Sequence, residues 1–230
     1  MKRNSSKIIL TINIVAISIL FILNYVYQIN NFDFTLKCIC SSIFTGIGIV
    51  NFGYALGTKQ NDKKFYIGML VALIFSLLGD IFIYFNFVAG AGIFALSHIC
   101  FIITYCFIQK IKKIDLLIGV LFFIPITSIL LFCPILNYEE AIFKPVCVIY
   151  GLIITTMVGK ATGNFTREKN LLNSVLFVAS LFFLLSDTML VFHLVSWAEN
   201  ACMALYYPSL CIFAFSMYIK ICEDKKKSIS

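Results

Sequence analysis

Long apolar runs, interrupted only by short polar loops, fill this chain from near its first residue to near its last. Eight of them are long enough to cross a bilayer, which takes about 20 predominantly apolar residues. They fall at roughly 8–29, 34–56, 65–86, 91–109, 114–136, 141–159, 171–194 and 200–221. The pattern predicts an all-α, polytopic membrane protein with eight transmembrane helices, forming a single integral domain over residues 1–230. The first run follows Met1-Lys2-Arg3, as a signal peptide would. It is too long for an h-region and lacks an A-x-A-like cleavage site, so it reads as a span.

The loops carry the orientation. Lys2, Arg3 and Lys7 precede the first run, and Lys59, Lys63 and Lys64 follow the second. Lys110, Lys112 and Lys113 follow the fourth, and Lys160, Arg167 and Lys169 the sixth. Lys220 and Lys225 to Lys227 follow the eighth. Of the 18 Lys and Arg, only Lys37 and Lys144 fall on the other side, so the positive-inside rule puts both termini in the cytoplasm. A wrong helix count would scramble that alternation. The polar tail from Glu223 to Ser230 lies past the last span, where Lys225-Lys226-Lys227 would rest against anionic headgroups.

Composition makes lipid the solvent. Hydrophobic residues are 61% and charged residues 13%, against roughly 45–50% and about 25% in soluble domains. The net charge of +7 could mean nucleic acid in a soluble chain; here it is the loop pattern, and no nucleic-acid module is present. Cys100, Cys106, Cys133, Cys147, Cys202 and Cys211 sit inside apolar runs, without any C-x-x-C pair, and read as small free hydrophobes. Cys38 and Cys40 are too isolated for a zinc knuckle. Gly53-x-x-x-Gly57 reads as a helix contact, and the 24 Phe as mostly lipid-facing filler.

A few polar residues stand out against this background. An Asp at mid-helix costs about 2.5–3.5 kcal/mol on insertion scales, and Asp80 and Asp187 are the only carboxylates well inside predicted spans. His98 is the only histidine well inside one, while His193 falls at a helix end. With Tyr206 and Tyr207 on the eighth span, these groups lie at a common depth, roughly 10 Å below the outer interface at 1.5 Å per residue. Asn24 on the first span is at a similar depth. Lipid cannot solvate such groups, so they must face one another or a wet cavity. The stretch ending Leu77-Leu78-Gly79-Asp80 also echoes Leu184-Leu185-Ser186-Asp187, each with Phe five residues after the Asp (Phe85, Phe192). The two lie on the third and seventh spans, which fits a parallel repeat of four plus four helices.

These residues resemble the YhhN-like lysoplasmalogenase family of eight-helix membrane hydrolases over the third to eighth spans. Gly79-Asp80 resembles its Gly-Asp on the third helix, Phe94-x-x-x-His98 its Phe-x-x-x-His on the fourth, and Tyr150 with Met157 its sixth-helix pattern. Phe183-x-x-Ser186-Asp187 and Tyr206-Tyr207 are similar to its last two motifs. The chain departs from it at Phe101 and Leu210, where the family often has Tyr and Gln, and the loss of two polar groups would bear on headgroup selectivity or activity. The resemblance implies hydrolysis of the vinyl ether of a lysoplasmalogen, a lysophospholipid substrate drawn from the surrounding membrane lipids, without cofactor or metal. It implies Asp80 and Asp187 as the catalytic pair, and His98, Tyr206, Tyr207, Tyr150 and Asn24 are expected around the substrate.

The chemistry suits two carboxylates. Vinyl ethers hydrolyse by protonation at the β-carbon, through an oxocarbenium ion that water then captures. This needs one proton donor and one negative charge, as in glycosidases. Zinc catalysis wants about three protein ligands, and no G-x-S-x-G elbow or glycine-rich phosphate loop is present. A proton-coupled transporter is the alternative from another class, since duplicated halves and buried carboxylates occur there too. A non-catalytic lipid-binding relative is a third. The compact loops suggest a bacterial plasma membrane.

Overall fold

In the computed structural model, residues 2–30, 33–58, 60, 62–133, 136, 141–192 and 196–227 are described, with backbone alone for 2–4, 196 and 227. They form α1 (Lys2–Ile29), α2 (Phe34–Gly57), α3 (Lys63–Phe85), α4 (Phe87–Ile108), α5 (Lys113–Phe132), α6 (Phe143–Arg167), α7 (Leu171–Leu190) and α8 (Ser196–Lys227). Eight helices among these residues are long and apolar enough to cross a membrane, so the chain is a multi-pass membrane protein.

The ends differ from the apolar runs for local reasons. α4 starts at Phe87 rather than 91 because Asn86 caps it, its Oδ1 accepting from the Ala89 N–H at 2.9 Å. α5 and α7 stop short of 136 and 194, at Phe132 and Leu190, and His193 lies outside the described residues. α1 and α8 run past their apolar segments at both termini. Lys225 in the basic tail belongs to α8 and packs back on α2, donating to the Tyr54 hydroxyl at 2.8 Å.

The largest departure is α6, which runs on from 159 to Arg167 because its polar end is internally satisfied. Lys160, assigned above to a loop, is fully buried. Its Nζ lies 3.2 Å from Asp115 Oδ2 and donates to Asn164 Oδ1 at 2.6 Å. Arg167 grips both oxygens of Asp115 and also donates to Gln109 at the end of α4. Asp115, on the first turn of α5, is therefore a second buried carboxylate beside Asp80, at the opposite end of the bundle. Three glycines let α5 and α6 close on it. A Cβ at Gly159 would come within 2.5 Å of the Gly119 nitrogen, and one at Gly163 would overlap the Asp115 carboxylate. Gly53 and Gly57, read above as a helix contact, make none: a Cβ at either meets nothing within 4 Å.

Helix pairing follows the repeat in part, since α8 also packs on α1 and α3 more closely than α4 does on α5 and α7. The neighbours α1–α2, α2–α3 and α3–α4 have counterparts in α5–α6, α6–α7 and α7–α8, and α2 packs on α8 as α6 packs on α4. Most phenylalanines keep some exposed surface, as expected of lipid-facing filler, but Phe94, Phe101, Phe183 and Phe213 are core residues. Phe101 packs on Phe213 at 4.3 Å and Leu210 is wholly buried, so the two departures from the family pattern lie in the packed interior.

The α3–α4 hairpin is the tightest support of the site. Ser97 Oγ donates to the Ala72 carbonyl and sits 2.8 Å from Ser76 Oγ. A Cβ on Gly79 would come to 2.8 Å from the Phe94 ring. Gly79→Ala should therefore cost about 1–3 kcal/mol by overpacking, read as a lower thermal midpoint of the detergent-solubilised protein. Gly92→Ala, whose added methyl meets nothing within 4 Å, is the matched control and should not lower it.

Candidate functional site

Asp80 and Asp187 reach one cavity by different routes. Asp80 lies one turn before the end of α3, and Asp187 just before the end of α7. Both line one cleft, which is partly open at its mouth. Most of the wall is apolar. Ile83, Phe87 and Phe94 come from α3 and α4, Ile126 and Leu130 from α5, and Val146, Gly151 and Ile154 from α6.

The two acids are held by separate networks. Asp80 is almost fully buried. Its Oδ2 accepts from Ser41 Oγ of α2 at 2.6 Å and from the Tyr206 hydroxyl of α8 at 2.7 Å. Its Oδ1 lies 3.4 Å from the Lys37 ammonium. Asp187 accepts a short hydrogen bond from the Tyr150 hydroxyl of α6, and His98 Nε2 of α4 stands 3.4 Å from it. Nε2 is also 2.6 Å from the Tyr150 oxygen. His98 Nδ1 is buried without a hydrogen-bond partner, so the ring's proton belongs on Nε2, where it has an acceptor. A chain results: His98 donates to Tyr150, and Tyr150 donates to Asp187. The repeat is visible here too. Asp80 of α3 is gripped from α2 and α8, and Asp187 of α7 from α6 and α4.

Not every residue expected around a substrate reaches the cavity. Tyr206 and Tyr150 line it. His98 is fully buried behind Tyr150, with Phe183 against its ring at 4.7 Å, so it cannot touch a bound headgroup. Tyr207 is fully buried off the cavity wall, edge-on to Tyr27 at 6.4 Å. Asn24 donates to the Met203 carbonyl at 3.2 Å and ties α1 to α8. Phe101 and Leu210 do not line the cavity either.

Lys37 is the residue that sequence reasoning missed. It counted there as an exception to the charge rule; folded, it lies on the cavity wall beside Asp80. The signal was its placement, as one of two basic residues on the outward side. All nine cysteines are free, and Cys147 and Cys202 line the cleft. Among the described residues, His, Cys, Asp and Glu do not gather in groups of three or more with metal-binding geometry.

A model of the YhhN family matches residues 35–217, from the first turn of α2 into α8. No curated protein and no solved structure matches the chain.

Proposed function

The chain belongs to the YhhN family, and on that premise we propose that it hydrolyses the vinyl ether bond of lysoplasmalogens within the membrane, releasing a fatty aldehyde and a glycerophospho-headgroup. The observation that carries this reading is a pair of carboxylates with unlike partners on one largely apolar cavity. A lipid chain needs the apolar wall, and acid hydrolysis needs one acid and one anion.

The partners divide the roles. Asp80 faces a cation and accepts from two hydroxyls, partners that favour its negative charge against the cost of its burial. It is the anion that steadies the oxocarbenium ion and orients water, with Tyr206. Among the described residues Asp187 faces no Lys or Arg, and it is the proton donor. In the first step its proton moves to the β-carbon and the positive charge settles on the carbon–oxygen unit. Water adds to that carbon and its surplus proton returns to the Asp187 carboxylate. The hemiacetal then collapses to aldehyde and glycerol hydroxyl. Tyr150 and His98 fix the orientation of Asp187 throughout and are positioning residues.

Purified protein given a 1-alkenyl lysophospholipid should release aldehyde and glycerophospho-headgroup in equal amounts by mass spectrometry. Tight binding with no aldehyde would replace the hydrolase by a lipid-binding protein. Proton-dependent uptake into vesicles with no aldehyde would favour the transporter, for which the four-plus-four pairing of helices is the specific argument. Tyr150→Phe removes a hydrogen bond to the carboxylate that Asp187 becomes as it gives up its proton, worth about 1.5–3 kcal/mol. Steady-state kinetics should show kcat falling about 10- to 100-fold with KM little changed. A rise in KM alone would make Tyr150 a substrate contact instead.

A further inference from the structure

The cavity has a polar end and a hydrocarbon end. Among the described residues Lys37 is the only Lys or Arg on its wall. It stands on the first turn of α2, beside Asp80 of α3. The wall contributed by α5 and α6 holds Ile126, Leu130, Val146 and Ile154, and its one hydroxyl, that of Tyr150, is engaged with Asp187. A ligand that matches this has one anionic group attached to a long chain.

The Lys37 ammonium has capacity to spare. It carries three donors, and its approach to Asp80 Oδ1 is 3.4 Å, longer than the roughly 2.7–2.9 Å of a committed charge-assisted bond. Asp80 does not depend on it for position, because Ser41 and Tyr206 already hold Oδ2 at 2.6 and 2.7 Å. The side chain keeps 15% of its surface exposed. The repeat supplies an internal comparison. Lys144 precedes Asp187 by the same number of residues as Lys37 precedes Asp80. Yet Lys144 is exposed, donates to the Leu131 carbonyl at 3.3 Å, and does not line the cleft. Neutralising a carboxylate is thus not something every half of the fold requires of its lysine. Only one of the two has been turned into the cavity, and His98, the other cationic candidate, is sealed behind Tyr150.

We propose that Lys37 is a phosphate-recognition site, binding the phosphodiester of a lysophospholipid while the chain lies along α5 and α6. This rests on the lipid-hydrolase reading for the choice of ligand, but it is a statement about binding and is tested without turnover. The full-length protein in detergent is titrated with a saturated 1-O-alkyl lysophosphoethanolamine, which the proposed reaction cannot cleave. The same-chain 1-O-alkylglycerol, which lacks the phosphate, is titrated in parallel. The wild type should bind the phosphate-bearing lipid at least about tenfold more tightly. Lys37→Gln should erase that preference and Lys37→Arg should keep most of it. Inorganic phosphate at millimolar concentration should not displace the lipid.

Equal affinity of the wild type for the two lipids, or binding of neither, overturns the proposal without any variant. So does a Lys37→Gln protein that weakens both ligands alike, which would leave Lys37 only the partner of Asp80. Displacement by inorganic phosphate would make this a free-anion site and overturn the headgroup assignment. A Lys37-dependent phosphate preference without aldehyde release from alkenyl lipid would remove the hydrolase and leave this subsite standing. Aldehyde release with no such preference would do the reverse.

Discussion

Asp187→Asn is expected to reduce aldehyde release by at least about a hundredfold, the lower bound for removing a positioned general acid. Asparagine keeps the shape and still accepts the Tyr150 hydrogen bond, so the loss should fall on kcat with the protein intact by size exclusion. Asp80→Asn should also abolish turnover, for a different reason. The amide oxygen can still take the Ser41 and Tyr206 bonds, but the negative charge opposite Lys37 is gone. The cavity then carries an uncompensated cation where an oxocarbenium ion must form. The thermal midpoint should therefore drop more for Asp80→Asn than for Asp187→Asn. Measured turnover by the doubly substituted protein would refute the paired-carboxylate mechanism outright.

The second large effect concerns stability at the opposite end of the bundle. Asp115 is nearly fully buried and is shared by Lys160, itself without exposed surface, and Arg167. Replacing both partners of a buried ion pair by hydrocarbon can be harmless, whereas removing one strands the other and costs about 3–5 kcal/mol. Asp115→Ala strands two cations between α5 and α6, so a strongly lowered thermal midpoint and reduced yield are expected. The comparison is Asp62→Ala, which breaks a partly exposed pair with Lys220 and should cost no more than about 1 kcal/mol. Equal midpoints for the two variants would show that the inward cluster does not hold α5 against α6. This matters for function because α5 packs chiefly on α6, while its Ile126 and Leu130 form part of the cavity wall. The latch at Asp115 thus positions residues at the far end of the same helix.

Much of this was legible along the chain. The eight spans followed from hydrophobic length, because bilayer thickness leaves few alternatives. Asp80 and Asp187 stood out because a carboxylate in an apolar run is costly enough to require a reason. Boundaries were less legible where polar residues remain helical. Lys160, Asn164 and Arg167 look like a loop when each is judged against lipid or water. They are a helix because they satisfy one another and Asp115.

Sequence by itself settled the number of helices and singled out Asp80 and Asp187 as acids that had to be accommodated, since both follow from the cost of placing a side chain in hydrocarbon. Tertiary structure alone decided the neighbours of each acid. It placed Lys37 beside Asp80, inserted Tyr150 between His98 and Asp187, and withdrew Asn24 and Tyr207 from the cavity. Hydrophobic patterning records depth along a helix axis, but which face meets which neighbour depends on how α2, α4, α6 and α8 pack around α3 and α7, and that is set by contacts between residues far apart in the chain.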